Sequence, residues 1–240
     1  MLIAGDKDPI GTALLDYFHT AEDQPINVKM DIADDDTLAP SYFFRSYDQC
    51  PELEQLALQQ ARGKVLDVGA GAGSHALHLQ SQGLDVVALD VSPKSVEVMR
   101  LRGVKHPVLA NFYDFKHARF DTLMFLMNGI GLVQTLDGFE ALFKHAKTLL
   151  LPGGQILLDS SDLIYMFEQE DGSYVIDLNE KYHGEVKFDL SYKNVNGAPF
   201  NWLYVSEELL QDAADENGFD CEIIQQGPHY DYLARLTLRD

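Results

Sequence analysis

The sequence predicts a doubly wound α/β fold with a mostly parallel, seven-stranded sheet and an antiparallel β insertion after the fifth strand. Three observations support this prediction. Short apolar runs alternate with helical patterns between residues 64 and 160, which is typical of right-handed βαβ units. A glycine-rich turn follows the first apolar run. After Asp162 the pattern changes to aromatic-rich, alternating segments, and the regular pattern then returns near the C-terminus.

Residues 1–62 precede the first strand of this pattern, and we expect them to form a helical segment that covers the ligand-binding edge of the sheet. A helix is predicted near residues 10–19, followed by a loop in which the acidic triplet at 34–36 forms a solvated turn. A second helix is predicted after Asp48, which can serve as its N-cap. The aromatic residues between the two helices, which can pack in the core or over a ligand, include Tyr42, Phe43 and Tyr47.

The parallel part of the sheet is predicted from apolar runs of three to five residues, the composition of strands buried on both faces. Amphipathic patterns with helical periodicity lie between several of these runs. The predicted strands are 65–68, 86–89, 108–110, 123–127 and 156–158, and the predicted helices are 74–82, 93–102 and 136–149.

Residues 163–205 are expected to form an antiparallel hairpin or meander, inserted on the substrate side of a domain that comprises residues 63–240. Within this insertion, residues 186–192 alternate apolar and polar side chains, as in a strand with one buried face. Ser206 begins the last helix, which ends at Asn217 and Gly218. Two further strands are predicted at 219–226 and 230–238.

The charge balance limits the partners. The chain has 38 acidic and 18 basic residues and a formal net charge of −20 at pH 7. Proteins that bind nucleic acid need a positive surface to displace counterions from phosphates. The sequence therefore predicts a small-molecule partner and neither nucleic acid nor an anionic membrane. It leaves the oligomeric state open.

Cysteine and histidine usage predicts no metal site. Cys50 and Cys221 have neither CxxC nor zinc-ligand spacing, and His75 and His78 share a helix face that we expect to be at the surface. With no signal peptide and no long apolar run in the sequence, we expect a cytoplasmic protein in a reducing compartment.

The glycine-rich turn is the most informative segment. It joins a buried strand to a helix, so backbone N–H groups at the helix N-terminus are free to bind a ligand. Asp90 lies nineteen positions after Gly71, at the end of the next strand, where a carboxylate can accept hydrogen bonds from a ribose.

Asp67, two positions before the first glycine, narrows the choice of ligand. A carboxylate at the end of a buried strand costs several kcal/mol unless it is paired. A ligand with an ammonium group supplies a partner, whereas NAD has none there. An NAD-dependent oxidoreductase remains an alternative because Gly71, Gly73 and Ala76 satisfy a loose GxGxxA pattern.

The segment from Asp67 to Gly73 resembles motif I of the class I S-adenosylmethionine-dependent methyltransferases, of the small-molecule type. The similarity extends to Asp90 and to residues 120–123 and 151–154, and so covers about residues 63–160. It implies S-adenosyl-L-methionine as the cofactor and in-line methyl transfer to a small organic acceptor. A noncatalytic module that binds this cofactor is a further alternative.

The resemblance also implies a role for particular residues. Asp67 and the turn backbone would hold the methionine moiety, and Asp90 the ribose, with Val91 against adenine. Asn111 occupies the place of the residue that meets the adenine amino group, and Asp114 is an alternative. The expected cofactor-binding residues are Asp67, Gly69, Ala70, Gly71, Gly73, Asp90, Val91, Asn111, Phe112, Met127 and Asn128.

The sequence does not identify a catalytic residue. Asn128 follows the fourth strand, and Asp162 and His183 lie on the substrate side, where a general base could act. Each also has a purely structural interpretation, since Asn128 suits a turn, and a helix cap or a surface position explains Asp162 and His183.

Overall fold

The computed structural model describes residues 2–116, 118–169, 171–176 and 181–239. Its helices are α1 (Pro9–Thr20), α2 (Glu52–Gln60), α3 (Ser74–Ser81), α4 (Pro93–Arg102), α5 (Gly138–Leu149) and α6 (Glu207–Glu216). Its strands are β1 (Ile26–Met30), β2 (Ala33–Leu38), β3 (Lys64–Val68), β4 (Asp85–Asp90), β5 (His106–Leu109), β6 (Phe120–Phe125), β7 (Leu150–Ser161), β8 (Glu185–Tyr192), β9 (Val195–Asn196), β10 (Phe200–Leu203), β11 (Phe219–Gln226) and β12 (Asp231–Leu238).

The larger sheet has seven strands in the order β11-β12-β7-β6-β3-β4-β5. The five strands from β7 to β5 run parallel, and β12 pairs antiparallel with both β7 and β11. The predicted doubly wound, mostly parallel sheet is therefore confirmed. The carboxyl ends of β3, β4, β6 and β7 meet at one edge, where α/β proteins bind their ligands.

Core residues of the larger sheet divide between its two faces because successive side chains of a strand point in opposite directions. Val65 packs with Ala57 of α2 and Leu79 of α3 in one buried cluster. Leu66 belongs to a second cluster, together with Phe143 of α5. Both faces of the sheet are therefore covered, as its continuous apolar strands predict.

A second, antiparallel sheet has the order β10-β8-β1-β2, with β9 paired to β8, and we call it the cover sheet. The predicted antiparallel insertion supplies β8, β9 and β10. The N-terminal region supplies β1 and β2, where the sequence predicted only a loop. Asp34, Asp35 and Asp36 lie on the exposed edge strand β2 rather than in a turn. Acidic side chains there discourage further strand pairing, and they lack the apolar alternation that would have identified a strand.

Other local predictions hold with small differences. The bounds of α4 and β11 agree with the sequence prediction, and Ser206 caps α6 by accepting a hydrogen bond from Leu209. The prediction that Asp48 is the N-cap of α2 is wrong. Asp48 lies inside a short 3-10 turn at Tyr47–Gln49, which Ser46 caps. None of the helices in the described ranges has the length and apolar character needed to cross a membrane.

Candidate active site

The turn between β3 and α3 has an open side and a packed side. Gly69, Gly71 and Gly73 have φ angles of 75°, 55° and 80°, which residues with a Cβ rarely adopt. A Cβ built on Gly69 would meet no atom within 4 Å, whereas one on Gly73 would lie 2.8 Å from the Val104 side chain. Gly69 thus leaves space for a ligand to approach the backbone, and Gly73 allows the turn to pack closely.

Asp67 provides a test of whether this turn fits the predicted cofactor. Its side chain is buried, with 2% exposed, and its Oδ2 atom has no hydrogen-bond partner among the described residues. Burial raises the pKa of Asp67, against the opposing effects of the His75 charge and the Ala76 backbone N–H. A buried carboxylate oxygen without a partner is costly. Beside an open glycine turn, it fits the ammonium group of a methionine moiety.

Asp90 is tied to the same turn. Its Oδ2 accepts a hydrogen bond from the Gly71 N–H at 2.8 Å, and its Oδ1 accepts one from the Ser92 N–H at 2.8 Å. Burial raises the pKa of Asp90 to about 6. Each carboxylate oxygen retains a second lone pair, so the expected ribose contact is chemically possible alongside these bonds.

The segment after β6 adopts an unusual conformation. Met127 and Asn128 have φ angles of 59° and 54°, uncommon for residues other than glycine. The Asp159 carboxylate accepts hydrogen bonds from both of their backbone N–H groups, at 3.2 and 2.9 Å. Burial raises the pKa of Asp159 to about 7. Asp159 was not among the predicted site residues, although its place at the carboxyl end of a central strand was a usable signal.

Asn128 is fixed by further hydrogen bonds. Its Nδ2 donates to the Leu203 carbonyl at 3.1 Å, and its Oδ1 accepts from the Ser160 hydroxyl at 2.8 Å. Its own carbonyl accepts from Trp202 Nε1 at 2.9 Å. Asn128 therefore joins the larger sheet to β10 of the cover sheet. Its suggested role in methyl transfer stays a prediction.

A cavity of about 280 Å³ lies between the N-terminal region and the carboxyl ends of β6 and β7. It contains two of the predicted site residues, Met127 and Asn128. Tyr42, one of the aromatic residues expected to fold over the ligand, is also part of its wall. The lining residues are Tyr42, Pro51, Leu53, Glu54, Met127, Asn128, Asp159, Ser160, Ser161 and Asp231.

Asp162 and His183 do not line this cavity but pair with each other, with His183 Nε2 2.9 Å from Asp162 Oδ1. The same carboxylate oxygen accepts the Ile164 N–H at 2.9 Å and so caps the short turn at Leu163–Phe167. The geometry supports the structural interpretation of both residues, and their catalytic role stays a prediction.

The expected adenine-side residues form a short turn. Asn111 Oδ1 accepts the Tyr113 N–H at 3.0 Å and caps the turn at Phe112–Asp114. The Phe112 side chain is 4% exposed and packs edge-to-face on Phe125, with ring centroids 5.2 Å apart. Contact of Asn111 and Phe112 with adenine stays a prediction. Because the Phe112 ring is buried, we expect Phe112 to contact adenine mainly through its backbone.

His75 is not on the helix surface, contrary to expectation. Its side chain is 12% exposed, and its Nε2 lies 2.8 Å from Glu54 Oε2. Burial opposes a charge on His75, but hydrogen bonds to Cys50 and Glu54 and the Asp67 and Glu54 charges outweigh burial and raise its pKa to about 10. The sequence could not show this, because the hydrogen-bond partners lie in α2 and just before it rather than on the helix that carries His75.

Cys50, Glu54 and His75 offer possible metal-ligand atoms that lie within 4.8 Å of one another. However, Glu54 already has two cationic partners, since Arg45 lies 2.9 Å from its Oε1 and His75 is also bonded to it. These bonds outweigh the effect of burial and hold the pKa of Glu54 below its usual value. An ion-pair network accounts for this cluster, and the predicted absence of a metal stays a prediction.

Comparisons with known proteins agree with this geometry. A family model described as a methyltransferase domain matches residues 66–158. The chain is 46% identical to an S-adenosylmethionine-dependent methyltransferase from Bacteroides fragilis, whose crystal structure contains S-adenosyl-L-homocysteine. The TM-score is 0.94, and the match covers 100% of this chain and 98% of that chain. The chain therefore belongs to the S-adenosylmethionine-dependent methyltransferases, with S-adenosylmethionine as its cofactor.

More distant relatives cover less of the chain. The ubiquinone biosynthesis O-methyltransferase of Xylella fastidiosa (strain 9a5c) is 24% identical over 69% of this chain and 76% of its own length. Cypemycin N-terminal methyltransferase from Streptomyces sp is 31% identical over 41% of this chain, which spans only 42% of that protein. Because these names include an O-methyltransferase and an N-terminal methyltransferase, they do not point to one kind of acceptor.

Proposed function

We propose that the chain transfers a methyl group from S-adenosylmethionine to a small organic acceptor that binds in the cavity beside Met127 and Asp159. The unpartnered, buried Asp67 Oδ2 beside the open glycine turn is the observation that carries the cofactor half of this proposal. The cavity, which lies next to the Met127–Asn128 segment, supports the acceptor half.

The residues have distinct tasks in this proposal. The bound cofactor supplies a methyl group that its sulfonium charge already activates, so the main task of the protein is to place the acceptor in line. Asp67 and the turn backbone bind the methionine end, and Asp90 binds the ribose. Asp159 holds Met127 and Asn128 in their left-handed conformation. Tyr42 forms part of the cavity wall on the N-terminal side.

We further propose that the acceptor is not a nucleic acid and that the protein acts in the cytoplasm. The net charge of −20 supports the first statement. The two cysteines are free thiols, which supports a reducing compartment. Retention on a heparin column at moderate salt would argue against the first statement.

Calorimetric titration with S-adenosylmethionine and S-adenosylhomocysteine tests the cofactor site. We expect both to bind and Asp90→Ala to weaken binding by about 1.5–3 kcal/mol, the value of hydrogen bonds to a charged group. Asp85→Ala, at the opposite end of β4, is the matched control and should bind normally. Absence of heat with either ligand, or binding of NADH instead, contradicts the proposal. Unchanged binding by Asp90→Ala removes this residue from the site.

A further inference from the structure

The side chains around the cavity have an unbalanced charge. Three acidic residues, Glu54, Asp159 and Asp231, belong to its lining, together with Ser160 and Ser161. Within the described part of the chain, no lysine, arginine or histidine belongs to this lining. The polar groups of the cavity are therefore suited to a ligand that donates hydrogen bonds and carries positive charge.

Only one of these carboxylates has a cationic partner in the described ranges. Arg45 and His75 both pair with Glu54, so two cations more than balance its single negative charge. Asp159 and Asp231 take part in no ion pair there, and their hydrogen bonds come from backbone N–H groups. Backbone dipoles stabilise a carboxylate but leave its formal charge in place. The cavity thus keeps two carboxyl groups that a ligand can pair with.

From this lining, and resting on the proposed methyl transfer, we propose that the acceptor is a primary or secondary amine whose nitrogen lies between Asp159 and Asp231. A phenolate or carboxylate acceptor would face the negative charge of Asp231 and, wherever Asp159 is ionised, that of a second carboxylate. A neutral alcohol would gain ordinary hydrogen bonds instead of charge-assisted ones.

The proton balance of the reaction is consistent with this assignment. An ammonium nitrogen has no lone pair, so one N–H proton must leave before attack. Burial raises the pKa of Asp159 to about 7, so its carboxylate can accept that proton near neutral pH. The nitrogen lone pair then forms the N–C bond while the C–S bond breaks, and the bonding electrons stay on sulfur. A secondary amine therefore gives a tertiary ammonium product, which loses its remaining N–H proton to solvent.

The test is equilibrium binding to protein saturated with S-adenosylhomocysteine, where no turnover occurs. Three single-ring amines would be titrated by calorimetry beside their matched alcohols: benzylamine and benzyl alcohol, cyclohexylamine and cyclohexanol, and 2-phenylethylamine and 2-phenylethanol. We expect at least one amine to bind tenfold or more tightly than its alcohol. Asp231→Asn should weaken amine binding by about 10- to 100-fold and leave alcohol binding unchanged.

The controls separate this inference from the proposed function. Asp212→Asn makes the same charge change on exposed α6 and should keep the amine preference. Unchanged S-adenosylhomocysteine affinity in Asp231→Asn shows that the fold is intact. Equal affinity for amines and alcohols, no binding of any amine, or an amine preference that survives in Asp231→Asn overturns the amine assignment while methyl transfer stands. Failure of the wild-type chain to bind S-adenosylhomocysteine overturns the proposed function and, with it, this inference.

Discussion

The glycine turn and the cover sheet are built in different ways. The turn is formed by consecutive residues between the end of β3 at Val68 and the start of α3 at Ser74. The cover sheet joins distant parts of the chain, since Asn27 of β1 is opposite Ser191 of β8 in the antiparallel register. The first structure is specified locally, and the second depends on the folded tertiary structure.

The turn and the cover sheet also differ in what they contribute to the site. Asp67 lies in β3 just before the turn, and the Gly71 N–H of the turn donates to Asp90 at the end of β4, an arrangement that suits a cofactor of constant shape. The cover sheet reaches the cavity through Trp202 and Leu203, which bind Asn128. We infer that the cofactor end is fixed by short-range geometry and that the acceptor end is adjustable through the insertion.

We expect the largest effect on stability from His75→Gln, which breaks the link between α3, the helix after the turn, and Glu54 in the N-terminal region. The folded-state pKa of His75 is about 10, above its unfolded value of 6.5. Its contribution to stability is therefore fully present below pH 6.5 and is lost as the pH rises to about 10. We expect the substitution to lower the free energy of unfolding by several kcal/mol at pH 6.5 and by much less at pH 10. Urea unfolding at pH 6.5, 8 and 10 measures this difference.

His78→Gln is the matched control, three residues further along α3. Burial lowers the pKa of His78, so it contributes no loss of stability between pH 6.5 and 10. If wild type and His75→Gln lose stability in parallel over this range, His75 is not a buried cation.

In the turn region, Asp67→Asn should change cofactor affinity and the stability of the free protein in opposite directions. Burial raises the pKa of Asp67 above its unfolded value, so its charged form costs stability in the free protein as the pH rises. We expect the free variant to be at least as stable as wild type at pH 7. Its affinity for S-adenosylhomocysteine should fall by about 1.5–3 kcal/mol. Thermal unfolding and calorimetric titration give the two values.

A loss of both stability and affinity would show that Asp67 is a structural carboxylate. Asp121→Asn serves as the comparison, because its side chain accepts the Lys64 N–H at the opposite end of β3. This variant should reduce stability modestly and leave cofactor binding unchanged.

The sequence was most informative where neighbouring residues decide the structure. Glycines, strand periodicity and the position of Asp90 were sufficient to predict the larger sheet and the class of cofactor. The strands β1 and β2 were missed because three consecutive aspartates obscure any alternation on β2. The burial of His75 and the bonds of Asp159 were missed for a different reason. Both depend on partners more than 20 positions away, which only the tertiary structure brings together.

We expect the smallest effect on stability from Gly131→Ala, which disturbs the contact between the cover sheet and the larger sheet. A Cβ at Gly131 would lie 2.1 Å from Trp202 Nε1, so the indole must move and its hydrogen bond to the Asn128 carbonyl is weakened. We expect a loss of about 1–3 kcal/mol in the free energy of unfolding, typical of overpacking. Gly129→Ala is the matched control in the same short 3-10 helix, Gly129–Val133, because its Cβ would meet Phe125 at 3.4 Å, close to ordinary contact. Urea unfolding compares the two variants, and tryptophan fluorescence reports the environment of Trp202, the single tryptophan of the chain. Equal stability and unchanged fluorescence in the two variants would mean that the cover sheet does not depend on this contact.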